Sequence, residues 1–211
     1  MIRSTLAPAA AVLLAFTACS SQKTSDEAAG VIADTTATVA VAANDLHCVP
    51  SANMAAQGRA SAYDSTAVPL GDASALVCYG RPLVKGRTIF GDLIPFGKLW
   101  RTGANEPTIV HLPVAATIAG IAVEPGSYSL YTVPGEKEWT IIVNRSTSQW
   151  GIESAYTPEI QAQEVGRANV PATRTDAQVE EFTIHATPAG NGAELILEWE
   201  NTRVAVPIVR S

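Results

Sequence analysis

The 211-residue chain carries 20 acidic and 14 basic side chains, a formal charge of −6 at neutral pH. An acidic chain with dispersed Arg and Lys counts against nucleic acid as a partner and against adhesion to anionic lipid by charge. Apolar residues make up 47% of the chain, far too many for a disordered polar polymer.

The N-terminus has the form of an export signal. Arg3 supplies a positive start, and Leu6 to Ala18 is a short apolar run that ends in small residues. It is too short to span a bilayer as a mature helix. The segment Phe16-Thr17-Ala18-Cys19 resembles the bacterial lipobox, with Phe16 where leucine is usual. We therefore expect a signal peptide over 1–18 and a lipid on Cys19. Ser20 to about Ala43 is built of Ser, Thr, Ala, Asp and Val without an aromatic residue, and reads as a flexible tether. A coil of that length reaches about 27 Å. The localisation expected is the bacterial cell envelope, at the periplasmic face or the outer membrane, with the lipid anchor as the contact to the membrane.

Cys48 and Cys78 remain as an even pair in an exported chain, which predicts a disulfide. Paired-cysteine spacing is absent, and His47 stands alone beside Cys48, so no metal site and no cofactor is expected.

Residues 44–211 are the right size for one domain. Period-two patterning dominates it. Strands are predicted at Ala75–Tyr79, Thr108–Leu112, Ala115–Ile118, Ile121–Val123, Ser127–Val133 and Glu138–Asn144. Ala119-Gly120, Pro125-Gly126 and Pro134-Gly135 supply turns between them. Arg145 to Tyr156 reads as a loop, and Thr157-Pro158-Glu159 as the start of a short helix. Further strands follow at about 163–170, 179–186, 195–199 and 204–208. About nine strands with almost no helix predict an antiparallel β-sandwich, with a closed barrel as the alternative.

Catalytic signatures are missing: the chain has no G-x-S-x-G, no H-E-x-x-H and no phosphate-binding glycine loop. The polar chemistry concentrates between Arg81 and His111, where five of the fourteen basic residues lie beside Phe90, Phe96 and Trp100. Arginine forks near aromatic faces suit carboxylate, phosphate or sugar recognition. The ligand-binding candidates are Arg81, Arg87, Trp100, Arg101, Asn105, Glu106 and His111. A plainer reading stands beside this one. Gly103 and Asn105 tolerate a left-handed backbone, Trp100 plugs the end of the sandwich, and Arg101 or Arg87 pairs with Glu106 to brace the turn.

The segments "GRPLVKGRTIFGDLIPFGKLWRTGANEPT", "PGSYSLYTVPGEKEWTIIVN" and "QWG" occur here in the order that they take in the bacterial domain-of-unknown-function 2911 family. The chain resembles that family from about Ala60 to Arg210. The resemblance implies export, often as a lipoprotein, and carries no established activity. Three functions follow as expectations. The first is a lipid-anchored envelope protein that binds a small polar or anionic ligand, or a partner, through the 87–106 loop. The second is a hydrolase with Glu106 or His111 as general base. The third is a structural or assembly lipoprotein without a small ligand.

Overall fold

The computed structural model describes residues 46–50 and 59–211. The expected signal peptide, the lipidated Cys19 and the tether lie outside the described residues. Nine strands follow in chain order: β1 Ala62–Leu70, β2 Ala73–Arg81, β3 Thr108–Leu112, β4 Ala116–Ile118, β5 Ile121–Val123, β6 Gly126–Pro134, β7 Glu138–Asn144, β8 Glu164–Ala189 and β9 Gly192–Arg210. A single helical turn, α1, occupies Pro158–Gln161.

The strands are joined in the order β1-β2-β3-β6-β7-β8-β9-β4-β5. Every pairing in that ladder is antiparallel. The strands at its two ends, β1 and β5, do not pair with each other, so the sheet is open and the barrel alternative does not apply. The fold is the expected all-β, sandwich-like one.

One strand makes the sheet turn over on itself. The first part of β8 pairs with β7 from Glu164 to Pro171, and the rest pairs with β9 from Ala172 to Ala189. Register shifts after Arg174 and Val179 bend it where it changes partner. The far half then lies over β1 and β2. There the Tyr79 hydroxyl donates to the Ile184 carbonyl at 3.1 Å and accepts from the Ile184 amide at 3.0 Å. Thr66 Oγ1 donates to the same carbonyl at 2.6 Å.

Two differences from the expected pattern have physical causes. β1 was not foreseen, because Tyr63 to Ala67 is mostly polar and only Val68 and Leu70 reach the core. It is an edge strand, which also explains its tolerance of Pro69. The paired segments expected at 163–170 and 179–186, and at 195–199 and 204–208, are each one continuous strand. Bulges and the positive φ of Glu200, 54°, bend these strands without ending them.

The hydrophobic core has an aromatic centre. Trp100 stacks near-parallel on Trp199 at 5.8 Å and meets Trp139, Phe90 and Phe182 edge-on at 5.8, 5.8 and 5.2 Å. Edge-to-face pairs of this kind add about 0.5–1.5 kcal/mol each beyond the area that they bury. The 82–107 connection between β2 and β3 delivers two of these rings, Phe90 and Trp100, so it is part of the core wall.

The predicted disulfide is present: Cys48 and Cys78 are bonded, with Cα atoms 5.6 Å apart. Cys78 is buried in β2, where its neighbours in register are Ser65 and Ile109. The bond fastens residues 46–50 over the outer side of β2 and β3.

Candidate functional site

The segment from Trp100 to Thr108 divides its side chains between two tasks. Most of them are braces. Trp100 exchanges two backbone hydrogen bonds with Thr132, at 2.7 and 2.9 Å, and its Nε1 donates to the Gly103 carbonyl at 3.1 Å. Thr108 Oγ1 donates to the Thr102 carbonyl at 2.6 Å, and the Thr102 and Thr132 hydroxyls are bonded at 3.1 Å. Thr102 and Asn105 take the left-handed backbone, with φ of 57° and 68°. Asn105 was expected there; Gly103 was not needed for that purpose, and Thr102 takes the position instead.

Gly103 and Gly80 serve a close approach. A β-carbon on Gly80 would overlap the Ala104 carbonyl oxygen and lie 2.9 Å from its carbon. A β-carbon on Gly103 would lie 3.0 Å from the Gly80 oxygen. On the other side, a β-carbon on Gly151 would overlap the Asn105 carbonyl oxygen and stand 2.6 Å from Arg101 Cδ. The segment is thus clamped between Gly80 of β2 and Gly151 of the 145–156 loop, which brings the first and the last of the three sequence motifs into contact.

Glu106 completes the brace with a partner that the sequence reading did not name. Arg59 grips it with both guanidinium nitrogens, the Nη1 to Oε2 distance being 2.6 Å. The pairing expected with Arg101 or Arg87 does not form: Arg87 is bonded to the Val84 and Leu83 carbonyls, and Arg101 lines a different hollow from Glu106. The Arg59 and Glu106 side chains are 2% and 8% exposed. Bonding to the Glu106 carboxylate raises the Arg59 pKa above the ordinary arginine value. The guanidinium also lies 5.3 Å from the centre of the Tyr63 ring. Burial, and then the nearby Glu106 charge, push the Tyr63 phenol up to about 12. Glu106 lines a separate small hollow of about 160 Å³ with Tyr63, Ile109 and Gln149.

His111 belongs to yet another place. Its Nδ1 is 2.7 Å from Ser127 Oγ across the β3–β6 pair. Burial and the neighbouring His47 hold its pKa below the ordinary histidine value. The extended chain runs about 13 Å from Pro107 to His111 at 3.3 Å per residue. Glu106 and His111 therefore have different partners and do not form the acid–base pair that a hydrolase would need. Arg81 is also committed elsewhere, to Asp64 at 3.0 Å and Glu181 at 2.9 Å.

What is left over is Arg101. It lines a cleft of about 400 Å³ together with the charged Lys85, Arg87 and Glu153 and the apolar Leu93 and Ile94. The buried Trp100 and Trp199 also line it. Among the described residues, five basic side chains hold a carboxylate: Arg59, Arg81, Arg167, Arg203 and Arg210. None of the three cations in this cleft is among them. Arg87 turns back on the Val84 and Leu83 carbonyls, at 2.9 and 2.5 Å, which fixes its plane. Arg101 is half-buried, and its sealed Nε finds no acceptor. The charge of Arg101 reaches the Tyr131 phenol, where it works against the upward push of burial. Of the seven candidates, then, the cleft gathers Arg87, Trp100 and Arg101; it does not include Arg81, Asn105, Glu106 or His111.

Sequence reading missed Arg59, Glu153 and Gly151 as parts of this region. Arg59 and Glu153 sit in segments without any pattern of their own. Gly151 carried a signal, since it ends one of the three motifs, but nothing in the residue said what it accommodates. Among the described residues, no group of three or more His, Cys, Asp and Glu could hold a metal ion. No described helix is long and apolar enough to cross a membrane.

A family model described as "Protein of unknown function (DUF2911)" matches residues 61–208, from the start of the ordered β body almost to its end, and the chain belongs to that family. No curated protein and no solved structure matches it.

Proposed function

We propose that this member of the DUF2911 family is a lipid-anchored protein of the bacterial envelope whose β body captures a small anionic ligand in the cleft beside the 87–106 loop. Three features support the placement: the lipobox-like Phe16–Cys19, the polar tether after it, and a disulfide that suits an oxidising compartment. Extraction of the natural protein followed by mass measurement of its N-terminal peptide tests the anchor. An acylated Cys19 is expected, and an unmodified peptide beginning before residue 19 would exclude it.

The single observation that carries the binding reading is Arg101. A half-buried guanidinium without a carboxylate is costly unless something else supplies the negative charge. Here the cost is imposed by construction, because Gly151 leaves just enough room for the Arg101 side chain and the braces on Trp100, Thr102 and Glu106 hold its backbone in place. Preorganised donors of this kind lower the ordering cost of binding. Lys85 and Arg87 add two further cations at the same rim. Glu153 favours a ligand that also presents a hydroxyl or amine donor, or one that displaces it.

A thermal-shift screen of phosphate, sulfate and simple carboxylates against wild type, Arg101→Gln and Arg101→Lys tests the reading. Stabilisation of wild type, lost in Arg101→Gln and partly retained in Arg101→Lys, is the expected result. If no anion shifts the wild type, the cleft is not an anion site.

A further inference from the structure

We infer that the ligand of this cleft is an amphipathic anion: an oxyanion head on a compact apolar body, rather than a bare inorganic anion or a highly hydroxylated sugar acid. The inference rests on the anion reading above and deepens it. Its ground is the mixed lining of the cleft. Lys85, Arg87 and Arg101 line it together with Leu83, Leu93, Ile94 and two tryptophans, and Glu153 is the one acidic residue among them.

Leu93 makes the argument specific. It is 43% exposed, one of few large apolar side chains left in water among the described residues. Nothing in its local structure demands leucine. Its amide bonds the Thr88 carbonyl at 3.3 Å, a contact that any non-proline residue would make. The turn that carries it is fixed from within by the Ile94 and Gly91 amides, bonded to Ile89 and Ile94 carbonyls at 2.8 and 2.9 Å. An exposed leucine on a rigid turn, sharing a cleft with three cations that hold no carboxylate in an ion pair, suits a molecule that is apolar at one end and anionic at the other. At about 400 Å³ the cleft lies within the range that holds small organic ligands.

The experiment uses the folded chain without its signal segment, and sodium acetate, butanoate, hexanoate and octanoate as probes below their micelle-forming concentrations. Binding is read by calorimetry and by tryptophan fluorescence, since Trp100 and Trp199 line the cleft. Burial of one methylene contributes about 0.8 kcal/mol, a factor of about four in affinity. Affinity is expected to rise about three- to fourfold per methylene over the first additions, and then to level off as the cleft fills. Leu93→Ser should flatten that slope while acetate binding stays as in wild type. Arg101→Gln should weaken every member of the series by a similar factor.

The failures are separable. If acetate and phosphate bind in an Arg101-dependent way but chain length brings less than about a 1.5-fold gain per methylene (roughly a third of the burial value), the inference falls and the anion reading stands. If longer chains bind better yet Arg101→Gln changes nothing, the head group is not at Arg101 and the inference also falls. If no member binds, both fall together.

Discussion

Gly151 and Arg101 occupy each other's space: a β-carbon on Gly151 would lie 2.6 Å from Arg101 Cδ and 2.9 Å from the Glu106 carbonyl carbon. Two segments about fifty residues apart are thereby fitted together, one carrying the guanidinium and the other the absence of a side chain. Gly151→Ala must displace the Arg101 segment, the 145–156 loop or both. Overpacking of this sort costs about 1–3 kcal/mol. The expected outcome is a lower urea midpoint and a weakened thermal shift with anions, because Arg101 moves as well. Gly190→Ala, in the β8–β9 turn, serves as the comparison, since nothing lies within 4 Å of the added atom; its positive φ of 57° still costs something, but neither it nor its chain neighbours line the cleft. Unchanged anion response in Gly151→Ala would mean that Arg101 is not held by this contact.

Much of this fold can be read in advance, and what cannot be read has a pattern. The hairpins from β3 to β7 lie within a residue or two of where turns and alternation put them, because Ala119-Gly120, Pro125-Gly126 and Pro134-Gly135 mark their ends. β8 and β9 look like pairs of short strands because their hydrophobic alternation breaks at bulges, and a bulge is a register event that composition does not announce. The cluster between Arg81 and His111 is equally visible as a concentration of charge. Its division is not. Arg101 and Glu106 are five residues apart and look like partners, yet with left-handed turns at Thr102 and Asn105 between them they line different hollows. Only the fold could supply Arg59 to one of them and a cleft to the other.

The Arg59–Glu106 pair should be a large stabilising element when broken from either side. Both side chains are almost fully buried and meet in a two-pronged arrangement. Glu106→Gln leaves a buried guanidinium facing a neutral amide, a change of the class that costs about 3–5 kcal/mol. Glu136→Gln, on an exposed turn, should change stability by no more than about 0.5 kcal/mol. Chemical denaturation of the two variants decides it. Equal, small effects would show that the pair contributes nothing net.

The disulfide links stability to a histidine. It closes a separation of 30 residues, for which the chain-entropy model gives about 3–4 kcal/mol. Reduction should therefore lower the unfolding midpoint markedly. It should also release residues 46–50 from the outer side of β3. His111 is held below the ordinary histidine pKa by burial first and by His47 second. Both causes weaken when that segment leaves, so the His111 pKa should rise towards the ordinary value of 6.5. A folded-state pKa below the unfolded one gives stability that is present above pH 6.5 and is lost as pH falls through the lowered value. The reduced protein should consequently show a shallower loss of stability on mild acidification. Histidine proton resonances followed against pH, with and without reductant, provide the measurement. An unmoved His111 titration would show that the 46–50 segment stays in place without its bond.

Alkaline pH probes the buried pair from the other side. Tyr63 faces Arg59 and Glu106, and its phenol is raised from 10.0 to about 12, by burial first and by the Glu106 charge second. A group whose folded pKa exceeds its unfolded pKa stabilises the fold fully below the unfolded value and loses that contribution as pH climbs through the folded one. For Tyr63 the window runs from pH 10 to about 12. At 1.36 kcal/mol per pH unit, the loss across it approaches about 2 kcal/mol, and less where water screens the half-buried ring. Tyr63→Phe should remove this share. Its unfolding free energy should fall less than that of wild type between pH 9 and pH 12, while Tyr79, Tyr131 and Tyr156 contribute alike to both proteins. Parallel curves for the two proteins would mean that the Tyr63 hydroxyl is wet, and that the Arg59–Glu106 pair is more open to solvent than its geometry implies.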